Sequence, residues 1–114
     1  MNKYSIIIEP LAEEDIIRNV EYIAYDKRSQ QTALELGKGF RKQIASLALN
    51  PARHAYDDDE KLAQLQIRKH YYKNYKIYYF VDEREKKIYI LRVLHMLVDS
   101  KAILLRMMNN QIDQ

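Results

Sequence analysis

From Leu65 to Asp99 the chain reads LQIRKHYYKNYKIYYFVDEREKKIYILRVLHMLVD, and this stretch leaves little choice of fold. β-branched and aromatic residues crowd three runs: Leu65 to Tyr72, Tyr75 to Val81, and Ile88 to His95. Short polar breaks around Lys73-Asn74 and from Asp82 to Lys86 separate them. Such residues suit a pleated sheet, and breaks this short join antiparallel neighbours, so the pattern predicts a three-strand meander. No proline or glycine interrupts the runs, and nothing demotes them to edges or bulges.

The first hairpin can be placed more closely. Asparagine tolerates the left-handed conformation of a tight turn, which makes Asn74 the expected turn residue. Pairing Tyr71 with Tyr75 across a three-residue loop, with a bulge at Asn74, sorts the side chains into two sets. Leu65, Ile67, Tyr71, Ile77, Tyr79 and Val81 share one face, with Lys69 as the exception. Gln66, Arg68, His70, Lys76 and Tyr78 share the other. A two-residue loop mixes the sets, so the longer loop is predicted. The polar, cationic face reads either as plain solvated surface or as a site for phosphate or acidic protein. The run Ile88 to His95 is nearly all apolar on both sides, which predicts a central strand covered twice.

Ahead of the meander, Tyr4 to Glu9 reads as a short buried strand. Pro10 suits the first turn of a helix, and Glu13, Glu14 and Asp15 suit its positive end. Ala12, Ile16, Val20 and Ile23 recur at helical spacing, which predicts a helix over about 10–25. Ser29 is placed to cap a second helix over about 30–49, with Ala33, Leu36, Phe40, Ile44 and Leu47 as its apolar stripe and Asn50-Pro51 as its stop. The chain's only two glycines, Gly37 and Gly39, lie inside this helix. Each costs about 1 kcal/mol relative to alanine, so close approach of the preceding helix is expected at one of them. Ala52 to Leu62 reads as a loop. Its His54, Asp57, Asp58, Asp59 and Glu60 fit no metal-binding spacing and read as a solvated acidic run. Asp99 or Ser100 is placed to cap a last helix over about 101–108, followed by a frayed tail. The prediction is one α+β domain over 1–114: an N-terminal strand, an antiparallel helical hairpin, a three-strand antiparallel meander and a short C-terminal helix.

Composition narrows the function classes. The 114 residues suffice for one modest core, and 47% of them are apolar. There are no cysteines, hence no disulfide framework and no zinc-thiolate site. With no signal-peptide pattern, the expected location is the cytoplasm, and no apolar run approaches a membrane span. Net charge is only +3, weak support for nucleic-acid binding in itself. Ten tyrosines are many for this length. In a sheet they bury the ring and keep the hydroxyl at the rim, and stacking on bases is the sharper alternative. No glycine-rich phosphate loop, metal-binding helix pair or nucleophile elbow is present, so no cofactor or metal is expected.

The order and spacing of several short motifs resemble the RelE/ParE superfamily of type II toxin–antitoxin toxins, in its ParE-like, plasmid-stabilisation branch. Ala12, Asp15 and Tyr22-Ile23 match the opening. Leu47 and Pro51 match the end of the second helix. Arg68, Asn74-Tyr75, Tyr79, Val81-Asp82, Ile88 to His95 and Asp99 match the sheet. The resemblance covers nearly the whole chain. It implies a bacterial toxin neutralised by a cognate antitoxin. It also implies one of two targets: DNA gyrase, bound and inhibited, or mRNA, cut in the ribosomal A site.

Metal-independent RNA cleavage needs a base for the 2′-hydroxyl, cations for the phosphorane and an acid for the leaving group. Arg68, His70, Lys76, Tyr78 and His95 are the candidates for those roles. His95 has a chemistry suited to proton transfer, but a histidine ending a central strand reads first as a structural hydrogen-bonding group. Arg68 reads equally as a buried ion-pair partner holding the hairpin. Where many members of that superfamily carry a glycine and two basic residues after this histidine, the chain has Met96, Leu97 and Val98, and Ile103 falls near the tyrosine of its nuclease members. The expectation is therefore a toxin that binds its target. The mRNA endonuclease is the alternative, and a harmless relic that only binds its antitoxin is a third. Arg68, Lys76, Met96, Leu97 and Val98 are the expected antitoxin or target contacts, together with the helical hairpin. An exposed apolar step beside cations suits an amphipathic, partly acidic segment that folds on binding.

Overall fold

The computed structural model describes residues 3–112. Its elements are β1 (Ser5–Ile8), α1 (Pro10–Glu21), a single π-helical turn (Tyr22–Asp26), α2 (Gln30–Ser46), a 3-10 turn (Pro51–Arg53), α3 (Glu60–Gln64), β2 (Ile67–Tyr72), β3 (Tyr75–Asp82), β4 (Lys87–His95) and α4 (Ser100–Ile112). The strands form one sheet in the order β1-β4-β3-β2. β2, β3 and β4 make the antiparallel meander, and β1 lies parallel to β4 from Ser5 opposite Lys87 to Ile8 opposite Ile90. This is the α+β arrangement expected from the sequence.

Both faces of the sheet are covered. On one, Ala12 and Ile16 of α1 and Leu36, Phe40 and Ile44 of α2 bury Tyr75, Ile77, Tyr79, Ile88, Ile90 and Val93. On the other, Leu62 of α3 and Leu104 and Met107 of α4 bury Ile67, Tyr78, Leu91 and Leu94. β4 is central and doubly covered, as its apolar run predicts.

The hairpin differs from expectation. Tyr72, not Tyr71, pairs with Tyr75, across a two-residue turn. Lys73 rather than Asn74 takes the left-handed conformation, with φ of 52°. The register irregularity lies further on, where Tyr78 pairs with Arg92 and Tyr79 with Ile90, leaving Leu91 as the extra residue. Arg68 and His70 therefore share a face with Ile77 and Tyr79, while Ile67 and Tyr71 share one with Lys76 and Tyr78. The longer loop followed from assuming one solvated face; with helices on both faces, that condition does not hold.

The segment between α2 and β2 is more ordered than a loop. Asp59 caps α3, accepting from the backbone N–H groups of Lys61 and Leu62 at 2.9 and 3.1 Å. Its carboxylate also meets Lys101 at 2.8 Å, and the buried Asp57 meets Lys69 at 3.3 Å. Two members of the acidic run are thus structural, while Asp58 and Glu60 are exposed. Among the described residues no cluster of three metal-ligating side chains occurs. Ser29 caps α2 by accepting from the Thr32 N–H. Asp99 accepts from the Ala102 N–H at the start of α4, which runs past the predicted 108 to Ile112. Gln114, the end of the expected tail, lies outside the described residues.

β1 stops opposite Ile90, while β4 continues to His95. Beyond that point α1 supplies the missing partner. Asp15 Oδ2 accepts from the Val93 N–H at 2.9 Å, and Asn19 Nδ2 donates to the Val93 carbonyl at 3.3 Å. The Asp15 carboxylate is also gripped by Arg92, with Nε at 2.7 Å and Nη2 at 2.9 Å. Asp15 is only 3% exposed.

The two glycines have separate roles. A Cβ at Gly37 would lie 3.5 Å from Val20 Cγ2 of α1, an ordinary contact. A Cβ at Gly39 would fall 2.5 Å from Cζ of Tyr72, which packs edge-on against Phe40. Gly37 is thus the glycine that faces α1, at ordinary contact distance, while the tightest approach is that of Gly39 to the sheet.

Two stability outcomes follow from this packing. Asp15→Ala should cost about 3–5 kcal/mol in denaturant unfolding, because it strands a largely buried guanidinium and a buried N–H; a loss under about 1 kcal/mol would contradict this role. Gly37→Ala should raise the melting temperature, gaining up to about 1 kcal/mol of helix propensity, whereas Gly39→Ala should lower it by overpacking against Tyr72.

Candidate functional site

The residues expected on one cationic face are divided between two. Arg68, on the α1–α2 side, donates from Nη1 to the His54 carbonyl at 2.7 Å, and its guanidinium lies 4.3 Å from the centre of the Tyr56 ring. Tyr56 bridges to Arg68 through the backbone, and Asp57 N–H donates to the Ile67 carbonyl at 2.8 Å. With the Tyr79 hydroxyl donating to the Pro51 carbonyl at 2.6 Å, these contacts fasten the 51–59 segment to the sheet. Burial pushes the Tyr79 phenol up to about 12, so it acts there as a donor. Arg68 thus holds the loop against the hairpin through a backbone carbonyl and the Tyr56 ring, not through the expected ion pair.

His70 is buried beside it. Nε2 lies 2.7 Å from Gln43 Oε1, and its ring stacks on His54 with centroids 4.1 Å apart. Burial, followed by the charges of His54 and Arg53, pushes His70 down to about 4. It is neutral near pH 7 and sits among structural contacts.

Lys76 and Tyr78 lie on the opposite face. Lys76 Nζ reaches the Val98 carbonyl at 3.4 Å. Tyr78 is only 2% exposed beneath Leu104 and Met107, and burial raises its phenol. His95 ends β4 on the α1–α2 side. Its Nδ1 accepts from the Leu97 N–H at 3.2 Å, and its ring meets Tyr75 edge-on at 5.5 Å. The structure does not gather Arg68, His70, Lys76, Tyr78 and His95 around one point. It does place Met96, Leu97 and Val98 together on an exposed turn after β4, with Leu97 86% exposed. The Met96 N–H donates to the Asn74 carbonyl at 2.8 Å, which ties this step to the β2–β3 turn.

A second surface lies on the outside of the helical hairpin. An open groove of about 370 Å³ runs between α1 and α2, floored by Ile16, Val20, Ala33 and Gly37 and walled by Ile17 and Leu34. Ile17 and Leu34 are both about half exposed, at 47% and 54%. Glu21 stands at the rim, with Lys38 and Arg41. Arg41 pairs with Glu13, Nη1 to Oε2 at 2.9 Å, and so ties α2 to α1 beside the groove. That pairing lowers Glu13 and raises Arg41 from their ordinary pKa values. The hairpin was an expected contact region, but its groove residues were not singled out. Their signal was present: Ile17 and Leu34 are apolar yet fall beside the inward stripes of their helices.

The family model described as ParE toxin of type II toxin-antitoxin system, parDE, matches residues 6–99. No curated protein matches the chain. Among solved structures, a chain of the RelBE2 toxin–antitoxin complex from Mycobacterium tuberculosis is similar in fold, with a TM-score of 0.60 and 20% identity, over 83% of this chain and 93% of that one. A chain of the chromosomal ParDE toxin–antitoxin system from P. aeruginosa gives a TM-score of 0.64 and 16% identity, over 83% and 98%.

The His70 environment predicts a pH dependence. Its folded pKa lies below the unfolded value of 6.5, so the unfolded chain binds the proton more readily. The stability this contributes is fully present above pH 6.5 and is lost as pH falls towards about 4. His54, also lowered by burial, acts in the same direction. Melting temperatures across this window should fall with pH, and His70→Gln, which can keep a bond to Gln43, should flatten the slope. An equal slope in the variant would assign the effect elsewhere.

Proposed function

This chain belongs to the ParE toxin family of type II toxin–antitoxin systems, and from that premise we propose that it acts by binding a cellular target, DNA gyrase being the first candidate, and is neutralised by a cognate antitoxin. The observation that carries the binding mechanism is the dispersal of the proton-transfer and phosphate-binding candidates. Arg68 and His70 are engaged on one sheet face, Lys76 and Tyr78 on the other, and Tyr78 is beneath α4. A nuclease concentrates such groups around one phosphate. A protein-binding toxin instead needs apolar and aromatic anchors on a surface.

The groove between α1 and α2 supplies such a surface for the antitoxin. It is apolar along its floor and charged at its rim, which suits an amphipathic helix laid lengthwise. The exposed step Met96-Leu97-Val98 is a second contact in this reading. The two named complexes support an antitoxin partner, since each pairs a toxin with one.

Two measurements test this. Co-expression with the adjacent small gene product should yield a complex, and Ile17→Glu or Leu34→Glu should weaken it at least roughly 30-fold, the effect of losing a hot spot of about 2 kcal/mol. Unchanged affinity in both variants would remove the groove from the interface. Controlled expression with separate readouts should show loss of DNA supercoiling before loss of translation. Ribosome-dependent mRNA cuts, abolished in a folded Lys76→Ala chain, would install the endonuclease reading instead. Normal growth with intact antitoxin binding would leave a relic.

A further inference from the structure

An open cavity of about 470 Å³ at the end of the sheet lies between the π-helical turn, the β2–β3 turn and the end of β4. Its lining is rich in hydrogen-bond donors. Lys27 contributes an ammonium, Tyr22 and Tyr75 contribute phenols and Asn74 an amide, while the Asn19 amide in the wall is engaged with the Val93 carbonyl. His95 completes the set. Because its Nδ1 accepts from the Leu97 N–H, the proton of the neutral ring sits on Nε2, which is therefore a donor. Burial, and then the neighbouring Tyr22, raise the Tyr75 phenol, so it too holds its proton near neutral pH. No carboxylate lines this cavity. A single π-helical turn closes the C-terminal end of α1, and it carries Tyr22 and Ile23 into the wall.

A cavity with one full cation, several neutral donors and no acid is complementary to a single oxyanion. Its surroundings narrow the source. Met96 and Leu97 stand exposed on the turn that the Asn74 carbonyl and His95 hold in place. A nucleic-acid strand requires a track of cations for successive phosphates, and would gain little from an exposed leucine. A peptide carboxylate with an apolar neighbour satisfies both parts. We propose that this cavity is a docking pocket for an acidic side chain of a partner protein, with the residue beside it seated on Met96 and Leu97. The proposal rests on reading the Met96-Leu97-Val98 step as a partner surface; it does not depend on the α1–α2 groove.

The test is a titration of the isotopically labelled full chain, followed by amide NMR shifts. The probes are a capped aspartyl-leucine dipeptide, its asparaginyl counterpart and inorganic phosphate. The aspartyl peptide should move the amides of Tyr22, Lys27, Asn74 and Leu97. The asparaginyl peptide should bind about tenfold more weakly, the effect of one charge-assisted bond. Lys27→Gln, a change at an exposed site, should reduce the aspartyl peptide to the asparaginyl level. Leu34→Glu should leave the titration unchanged, which separates this pocket from the groove. Equal binding of the two peptides, shifts confined to other surfaces, or phosphate binding as tightly as the aspartyl peptide would overturn the proposal.

Discussion

The fold depends on how α1 completes the sheet at Val93. A four-residue β1 cannot span β4, and a strand left half-paired would present an unsatisfied N–H and C=O next to the core. Asp15 and Asn19, one helical turn apart, meet the N–H and the C=O of the same residue. They act as a side-chain substitute for the strand that β1 does not provide. Arg92 then neutralises the buried carboxylate with two hydrogen bonds. The same contacts lock α1 to β4, and through Glu13 and Arg41 they set where α2 lies. The groove outside the hairpin inherits its shape from that chain of contacts.

Much of this was legible in the sequence, and the misses share one cause. Periodicity located α1 and α2, and runs of β-branched and aromatic residues located β1 and the three meander strands. The Ser29 cap and the proline stop after α2 were equally plain. The hairpin register failed because the choice of loop assumed a single buried face. The corrective was already in the chain: Ile88 to His95 is nearly all apolar on both sides, and a doubly covered β4 requires its neighbour β3 to be covered on both sides as well. A two-residue turn that mixes apolar and polar side chains is then the natural one. Short α3 was missed because five residues carry no repeat, and its Asp59 cap looked like one of several acids. The place of Asp15 in a motif was visible, but its physical role was not, since no one-dimensional pattern says where β1 runs out.

The candidate site divides along the same line. Arg68, His70, Lys76 and Tyr78 look like a cationic array only when placed on one face. In three dimensions each is drawn into the nearest structural need: a loop carbonyl for Arg68, a glutamine for His70, a turn carbonyl for Lys76, a core for Tyr78. Met96, Leu97 and Val98 were legible because three apolar residues directly after a strand have nowhere to be buried if the next helix starts at Ser100. Lys27 and Tyr22 were not, because the π-helical turn that brings them beside His95 has no distinctive composition.

The sheet's candidate cations are thus engaged, whereas the α1–α2 groove and the Met96-Leu97-Val98 step leave apolar side chains exposed. Exposed apolar patches of this kind mark interaction surfaces in soluble chains. The α1–α2 groove is also held open before anything binds. Gly37 contributes no side chain to its floor, and the Glu13–Arg41 pair ties the two helices beside it. Under the proposed reading, a preformed groove leaves the ordering cost to the partner, and affinity there would rest on how many apolar side chains a segment aligns with Ile17, Val20 and Leu34. That arrangement favours a partner that is disordered when free and helical when bound, because only such a segment can follow the full length of the groove without the toxin having to change shape.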